Sequence, residues 1–378
     1  MSGHRIRQVE AIPLRYPEPH DGGKQRHITV VRIETDAGAV CWGECISQWP
    51  EAGFAVQALI DRGFAELLVG RDPTDPAGCY AVLREHTFWH GRGGIASFAI
   101  SALDMAVWDL AGIIADVPVH RLLDDRPPRL TMPAAASVIL DTLDLDRTFE
   151  QFRDYRDRGY RTVKGGWGLV PEAGFGIDEA RDLAVARTIR EAVGPSVSIA
   201  LDVSARAAWN ADRACAMARQ LAPFDLGWLE DALPHDDLAG WARLRAAAPM
   251  PLATGERCWT VDDYDRLTGS GSIDYTLIDP GRVEGVSGML ACARAAGAHG
   301  VKVVPHSWSS AINTAAALQV LAVAPEVHVF ELKPDPSPMQ HELVRAPIEM
   351  VDGVVHVPQR PGLGVDVDED AVRRYRMS

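Results

Sequence analysis

Residues 197–204 read VSIALDVS, a short apolar run that ends on an acidic residue and a polar turn, and an amphipathic segment (177–193) precedes it. The same alternation of short runs and helical segments continues from about residue 130. The runs occupy residues 130–140, 161–166, 197–204, 227–231, 251–256, 275–280, 301–306 and 327–332. Eight strands that alternate with helices indicate parallel pairing, and eight is the number that closes a barrel. The sequence therefore predicts an α/β fold with a (β/α)8-type barrel.

A doubly wound open sheet is the alternative for this alternating pattern. That fold would place a glycine-rich phosphate loop after an early strand, and the sequence has none in the right place.

The regions on either side of the predicted barrel have a different pattern. Residues 28–44 predict a β-hairpin through the turn signal DAG, and residues 97–114 carry apolar side chains at helical spacing. Residues 350–357 predict a second hairpin, and the polar tail beyond it is too short to fold alone. We therefore divide the chain into residues 1–128, a barrel over residues 129–345, and residues 346–378, which pack back on the N-terminal region.

The composition is that of an ordinary globular protein, with 47% hydrophobic and 24% charged residues in a chain of 378. The net charge of −14 disfavours a nucleic-acid partner and a polybasic contact with a membrane. Six scattered cysteines indicate reduced thiols in a cytoplasmic protein. Residues 1–15 lack the apolar run of a signal peptide, and we expect no stretch long enough to cross a bilayer.

Acidic residues end three successive predicted strands: Asp202 in LDVS, Glu230 in WLED and Glu256 in TGE. The carboxyl ends of barrel strands meet around one mouth, where active sites form. Three buried anions at close range repel one another unless a divalent cation lies among them. Ligation by oxygen alone favours Mg²⁺ or Mn²⁺ over zinc. The alternative is that each acid caps the following helix or pairs with an arginine.

Two further strand ends predict a general base. Asp279 ends the sixth strand and His306 ends the seventh, and a carboxylate beside a histidine orients the ring and raises its basicity. A core histidine, or a turn residue beside Pro305, is the alternative for His306. Lys164, in the second strand, is predicted to contact a substrate carboxylate or to act as a second base. A lysine that points to solvent is the alternative for Lys164.

These segments, in this order and spacing, resemble the enolase superfamily and, within it, the mandelate racemase subgroup. The resemblance covers nearly the whole chain and includes ISALDMAVWDLAG (100–112), IDP, VPHS and PGLGVDVDED (361–370). It implies a modified (β/α)7β barrel of TIM type under an α+β capping domain that the C-terminal tail completes. It also implies assembly as a homo-oligomer. Mg²⁺ would bind Asp202, Glu230 and Glu256, beside a catalytic Asp279–His306 dyad.

The chain departs from the subgroup at the second strand. The subgroup often carries a Lys-x-Lys pair there, whose second lysine is a base on the opposite face of the substrate, whereas this sequence reads Lys164-Gly165-Gly166. Without that base, racemisation by two bases is difficult. The expected activity is therefore that of a lyase, a Mg²⁺-dependent dehydratase of an acid sugar such as an aldonate or aldarate. A racemase or epimerase of a 2-hydroxy acid and a non-catalytic sugar-acid binder are the alternatives.

Further residues are candidates for contact with a small carboxylate substrate. Glu331 matches a position that hydrogen-bonds the substrate carboxylate in the subgroup. Lys164 is expected to bind that carboxylate as well. Trp308 lies two residues after His306, Arg257 follows the third acid, and His20 lies in a loop of the expected capping domain. Barrel packing for Trp308, and an exposed loop position of no special role for His20, are the alternatives.

Overall fold

The computed structural model describes residues 3–377. The N-terminal part of this range forms a capping domain. Its strands are β1 (Ile6–Glu18), β2 (Lys24–Thr35) and β3 (Val40–Cys45), and its helices are α1 (Pro50–Leu59), α2 (Ala65–Leu68), α3 (Pro76–His86), α4 (Gly94–Ala115) and α5 (His120–Leu123). The strands pair antiparallel in the order β1-β2-β3, which confirms the predicted hairpin. Helix α4 confirms the predicted helix.

The capping sheet is apolar on both faces because it packs between two layers. Ala11 and Val31 belong to the core that the sheet forms with the capping helices. Leu14 and Val30 belong instead to the core shared with the barrel. Helix α4 approaches β3 closely at Gly43, where a Cβ atom would lie 2.0 Å from a backbone carbonyl oxygen of the helix. A glycine is therefore required at this position.

The barrel follows as strands and helices in alternation. Its strands are β4 (Thr131–Ile139), β5 (Thr162–Gly166), β6 (Ser198–Asp202), β7 (Trp228–Glu230), β8 (Leu252–Thr254), β9 (Tyr275–Ile278), β10 (Lys302–Pro305) and β11 (Phe330–Leu332). Its helices are α6 (Leu145–Asp157), α7 (Glu179–Val193), α8 (Ala211–Leu221), α9 (Leu238–Ala247), α10 (Val261–Gly269), α11 (Gly285–Ala298) and α12 (Ala311–Leu321).

Strands β4 to β10 pair in sequence order, all in parallel. Strand β11 pairs with β4, and a bridge between Val303 and Val327 joins β10 to the segment before β11, so the sheet curls into a barrel. The predicted strands are confirmed, and the doubly wound open sheet is excluded. A long helix follows each strand from β4 to β10, whereas the short α13 (Pro338–His341) follows β11. This is the expected (β/α)7β arrangement.

Polar side chains cap the helices that follow the acid-bearing strands. Asn210 accepts a hydrogen bond from the backbone N–H of the third residue of α8, and Asp237 and Thr260 do the same for α9 and α10. Each cap satisfies an N–H group that has no partner within the helix. The acids at the strand ends are different residues, so the alternative that they cap the following helices is excluded.

Helix α4 corrects one expectation from the sequence. It has 22 residues and is apolar enough to cross a membrane by length and composition alone, so the expectation that no stretch reaches that length was wrong. In the structure, 72% of its apolar window is buried. The helix packs on β3 on one side and on α11 on the other, where Asp104 accepts two hydrogen bonds from Ser287. Burial between two layers accounts for its composition.

The C-terminal segment contacts both domains. Strands β12 (Met350–Val351) and β13 (Val354–His356) confirm the predicted hairpin, and β13 pairs antiparallel with β4 of the barrel. Beyond the hairpin, Gly362 forms an isolated β-bridge with Pro118, and Arg376 forms one with Leu14. Helix α14 (Glu369–Tyr375) packs beside β1.

Candidate active site

A cavity of about 230 Å³ lies at the carboxyl ends of the barrel strands, and the capping domain contributes to its walls. The predicted site residues that line it are Lys164, Asp202, Glu256, Arg257, His306, Trp308 and Glu331. The capping domain contributes Arg26, Ile46 and Gln48. Residues from distant parts of the sequence therefore meet in one cleft.

Asp202, Glu230 and Glu256 form an acid cluster at this mouth. The register of β6 and β7 places Asp202 directly beside Glu230. One carboxylate oxygen from each of the three residues lies within 4.8 Å of the others, and all three side chains are buried. Burial and the neighbouring carboxylates raise the pKa of Asp202 well above its usual value and raise the pKa of Glu230 to about 7. Asp202 and Glu230 are therefore costly to ionise without a cation, whereas for Glu256 burial is outweighed by His306 and the nearby cationic side chains, which lower its pKa to about 2.

The donor set fits a divalent cation of the Mg²⁺ type, because it consists of carboxylate oxygens. Oδ1 of Asp202 is buried and has no hydrogen-bond partner among the described residues. An acceptor in that state costs free energy unless a donor or a cation meets it. Within residues 3–377, the ion pairs of the three carboxylates are with Lys164 and His306 and not with an arginine. The second alternative for the acids is therefore excluded as well.

Lys164 lies among the acids and does not point to solvent. Its Nζ contacts Oε1 of Glu230 and lies 3.5 Å from Oδ2 of Asp202 and 3.0 Å from Oε1 of Glu331. Burial acts to lower the pKa of Lys164, but the carboxylates outweigh burial and hold the pKa well above its usual value. The ammonium group therefore offsets part of the negative charge of the cluster.

His306 and Asp279 are paired, with Nδ1 of the histidine 2.5 Å from Oδ2 of the aspartate. Oδ1 of Asp279 accepts a hydrogen bond from the backbone N–H of Gly281, which fixes the carboxylate. This pairing favours a proton on Nδ1 and leaves Nε2, 3.4 Å from Oε2 of Glu256, as the basic nitrogen. Burial acts to lower the pKa of His306, but Glu256 and Asp279 outweigh it and raise the pKa. The ring is oriented as a general base would be.

Gly166 stands where the subgroup often has its second lysine. It pairs with Asp202 across strands β5 and β6. A Cβ atom at position 166 would lie 2.4 Å from both the Cβ and the carbonyl oxygen of Asp202. A side chain at this position would therefore displace the first acid of the cluster. The glycine removes a base and at the same time permits the close approach of the two strands.

Both carboxylate oxygens of Glu331 accept hydrogen bonds. Its Oε1 accepts a hydrogen bond from Oγ of Ser137 at 2.6 Å, and its Oε2 accepts one from the backbone N–H of Ser307 at 2.9 Å. Burial acts to raise the pKa of Glu331, but Lys164 and these donors lower it below its usual value. An ionised carboxylate only accepts hydrogen bonds. Glu331 therefore contacts Lys164 and also lines the cavity, and its contact with a substrate carboxylate stays a prediction.

Two of the remaining candidates lie in the cavity wall, and one does not. Trp308 donates a hydrogen bond from Nε1 to Oγ of Ser137 at 3.2 Å, and Arg257 lies in the wall beside the acids. His20 packs edge-on against Trp308, with 5.8 Å between the ring centroids, and its Nε2 lies 2.8 Å from the carbonyl oxygen of Asp335. It lines a neighbouring cavity, so the structure does not bring His20 to the acid cluster.

Comparison with known proteins agrees with this geometry. Residues 147–371 match the family described as enolase C-terminal domain-like, and residues 18–124 match the mandelate racemase / muconate lactonizing enzyme N-terminal domain. The chain belongs to the enolase superfamily. A D-galactarolactone cycloisomerase of Agrobacterium fabrum (strain C58) is 30% identical over 362 residues, covering 94% of this chain and 92% of the relative. A D-galactonate dehydratase family member of Streptomyces sp. (strain SPB074) is 30% identical over 373 residues, covering 92% and 82%.

Solved structures of the superfamily share the whole architecture. A racemase from Streptomyces coelicolor A3(2) with bound magnesium superposes with a TM-score of 0.86 at 27% identity, covering 98% of this chain and 100% of that one. Magnesium in that neighbour and the buried acid cluster in this chain fit the Mg²⁺ binding of the enolase superfamily.

Two arginines that the sequence did not single out complete the site of this enolase superfamily member. Arg26, from β2 of the capping domain, lies over Trp308 with 5.0 Å between its Cζ and the ring centroid. Arg282 follows β9, and its Nε lies 3.9 Å from Oδ2 of Asp279. Its guanidinium group also donates a hydrogen bond to the backbone oxygen of Glu256. The position of Arg282 just after a strand end could have indicated it. Arg26 gives no such signal, because it lies in a different domain.

Proposed function

We propose that this protein is a Mg²⁺-dependent enzyme that removes the proton next to the carboxylate of an acid sugar and then expels the hydroxyl group from the adjacent carbon. The observation that carries the proposal is the oriented base: His306 is held by Asp279 and faces the acid cluster, whereas position 166 offers no side chain. Removal of a proton followed by β-elimination needs one such group, since the same imidazole can accept the proton and then donate it.

Lys164 would contact the substrate carboxylate, and the acid cluster would hold a Mg²⁺ ion beside it. Asp202, Glu230 and Glu256 would hold the Mg²⁺ ion, which supplies Lewis-acid stabilisation of the negative charge that develops on the carboxylate. Lys164 adds a fixed positive charge beside these acids, since Glu230 and Glu331 hold its ammonium group in place. A preorganised charge of this kind costs no reorganisation during the reaction.

His306 would carry both proton transfers. Its Nε2 accepts the α-proton, while Asp279 keeps the other proton on Nδ1 and stabilises the imidazolium ion. The same Nε2–H then protonates the departing β-hydroxyl group, so that water leaves and the histidine returns to its neutral state. The resulting enol tautomerises to a 2-keto-3-deoxy acid, and the proton balance of the base is closed within one turnover.

A cycloisomerase is the second candidate, because the relative from Agrobacterium fabrum is a D-galactarolactone cycloisomerase. The same two steps would open a ring by breaking the bond between the β-carbon and the ring oxygen. That oxygen stays in the product through its other bond. The product then has the mass of the substrate, whereas dehydration yields a product lighter by one water. Mass spectrometry therefore separates the two candidates on a single set of substrates.

The experiment is a screen of C5 and C6 monoacids, diacids and their lactones with the Mg²⁺-loaded protein. The expected result is the formation of a 2-keto-3-deoxy acid. Its formation should stop after chelation of the metal with EDTA and resume when Mg²⁺ is added. Inversion of the α-carbon without loss of water would identify a racemase or epimerase. Calorimetric binding of an acid sugar without turnover would identify a sugar-acid binder. Either of these two results would overturn the proposed elimination.

A further inference from the structure

Trp228 lies inside the barrel directly beneath the acid cluster. It occupies strand β7 two residues before Glu230, so both side chains point to the same side of the strand. The register pairs Trp228 with Ala200 and pairs Glu230 with Asp202, which places the indole one layer below the two acids. The Trp228 side chain is fully buried, and its Nε1 donates a hydrogen bond of 2.8 Å to Oε2 of Glu230.

The barrel interior makes room for this indole and fixes its plane. Small side chains from alternate strands pack with Trp228 in one cluster, namely Ala135, Ala200 and Ala253. Tyr275 and His328 stack on each other at 4.3 Å and meet the Trp228 ring edge-on at 5.7 and 5.9 Å. An indole restrained by these neighbours presents its N–H in one direction, and that direction leads to Glu230.

The two oxygens of Glu230 therefore have different partners. Oε2 accepts the hydrogen bond from Trp228, and Oε1 faces Lys164 on the side of Asp202. The ammonium group of Lys164 would repel a cation, whereas the indole is neutral. Trp228 can consequently hold the carboxylate in place whether or not a cation is bound.

We propose that Trp228 is a positioning residue that orients Glu230 for the divalent cation, and that its N–H group, in addition to its bulk, sets the affinity for that cation. The inference rests on the metal site of the proposed function. Donors that hold a metal ligand from behind are worth about 10- to 100-fold in metal affinity. A loss of that size is expected when the N–H group is removed.

The test compares Mg²⁺ affinity in two matched variants of the full-length protein, by isothermal titration calorimetry after EDTA treatment and without substrate. Trp228→Phe keeps an aromatic ring and removes the donor. Trp241→Phe is the control, because Trp241 is also fully buried but donates to the carbonyl oxygen of Pro234, at 2.9 Å. The Kd for Mg²⁺ is expected to rise by about 10-fold or more in Trp228→Phe and to stay close to the wild-type value in Trp241→Phe.

A second substitution separates the donor from packing. Trp228→3-benzothienylalanine, introduced by amber suppression, keeps the bicyclic shape and replaces the N–H group with sulfur. Weakened Mg²⁺ binding in this variant supports the proposal, and wild-type affinity overturns it. An equal loss in Trp241→Phe also overturns it, since the effect would then come from core packing. A wild-type protein that binds no Mg²⁺ would overturn the proposed metal site as well, whereas unchanged affinity in the variants overturns only the role of Trp228.

Discussion

Gly166 pairs with Asp202 across the sheet, so the lack of a side chain there serves packing as well as chemistry. Gly166→Ala is expected to displace Asp202, because the new Cβ atom would lie 2.4 Å from its carbonyl oxygen. Overpacking of this kind costs about 1–3 kcal/mol. Thermal unfolding and Mg²⁺ titration should both report the loss. In the control Gly63→Ala, the nearest atom to the new Cβ is 3.8 Å away, and no loss of stability or of Mg²⁺ affinity is expected.

A Gly166→Ala protein with wild-type stability and wild-type Mg²⁺ affinity would contradict this account of the β5–β6 contact. A gain of racemase activity in Gly166→Lys, with metal affinity unchanged, would contradict the steric explanation for the missing base.

At the residue scale, the sequence predicted the functional residues that end an apolar strand as its single ionisable side chain. Asp202, Glu230 and Glu256 were predicted as a cluster because parallel strands end at one mouth. The environment of Lys164 was not predicted, because its contacts come from three different strands. Contacts between distant parts of the sequence also decide the position of His20. The sequence suggested His20 as a substrate contact, whereas its ring packs against Trp308 beside the neighbouring cavity.

At the scale of elements, helix α4 connects the capping sheet to the C-terminal segment through Asp109. This residue accepts hydrogen bonds from the backbone N–H of Trp42 in β3 and of Leu363 in the C-terminal segment, at 3.1 and 2.7 Å. Burial raises the pKa of Asp109 to about 7, although both donors act against the rise. The folded protein therefore retains a proton that the unfolded chain releases near its ordinary pKa of about 4.

The stability that Asp109 contributes through this proton is thus full below about pH 4 and is lost as the pH rises through about 7. Asp109→Asn is expected to reduce the fall in unfolding free energy between about pH 5 and about pH 7, two points inside that window, measured by urea denaturation. A residual slope should remain, because burial also raises the pKa of Asp104 to about 7. The exposed control Asp125→Asn should keep the full pH dependence. An unchanged slope in Asp109→Asn would rule out this role.

The elements themselves were largely predictable. The strands follow short apolar runs, and each helix after an acid-bearing strand begins just after a polar capping residue such as Asn210 or Thr260. The length of α4 was underestimated, because its apolar composition comes from burial between β3 and α11 and not from one amphipathic stripe. Contacts of the tail beyond its hairpin depend on tertiary packing, which sequence patterns do not report.

At the scale of the whole molecule, a buried ion pair joins the capping domain to the barrel. Nζ of Lys333, just after β11, lies 2.5 Å from Oε2 of Glu18 in β1, and both side chains are fully buried. Lys333→Met is expected to destabilise the protein by about 3–5 kcal/mol, because Glu18 would remain buried without a partner. The double variant Lys333→Met/Glu18→Met should recover most of that loss in urea unfolding.

Lys24→Met is the control for this experiment, since Lys24 forms an ion pair with Asp21 while its side chain is 52% exposed. Exposed pairs contribute about 0–1 kcal/mol, so little change is expected. Equal effects of Lys333→Met and Lys24→Met, or no recovery in the double variant, would show that the buried pair does not couple the two domains.

Removal of the α-proton by His306 is tested most directly by hydrogen exchange in deuterated water. The Mg²⁺-loaded protein is incubated with an acid sugar that the screen identifies, and deuterium in substrate and product is followed by NMR. His306→Asn is expected to slow proton removal by about 100- to 10,000-fold, the contribution of a positioned general base. His299→Asn, which alters an exposed histidine paired with Asp265, should react at the wild-type rate. Exchange at the wild-type rate in His306→Asn would contradict the assignment of His306 as the base.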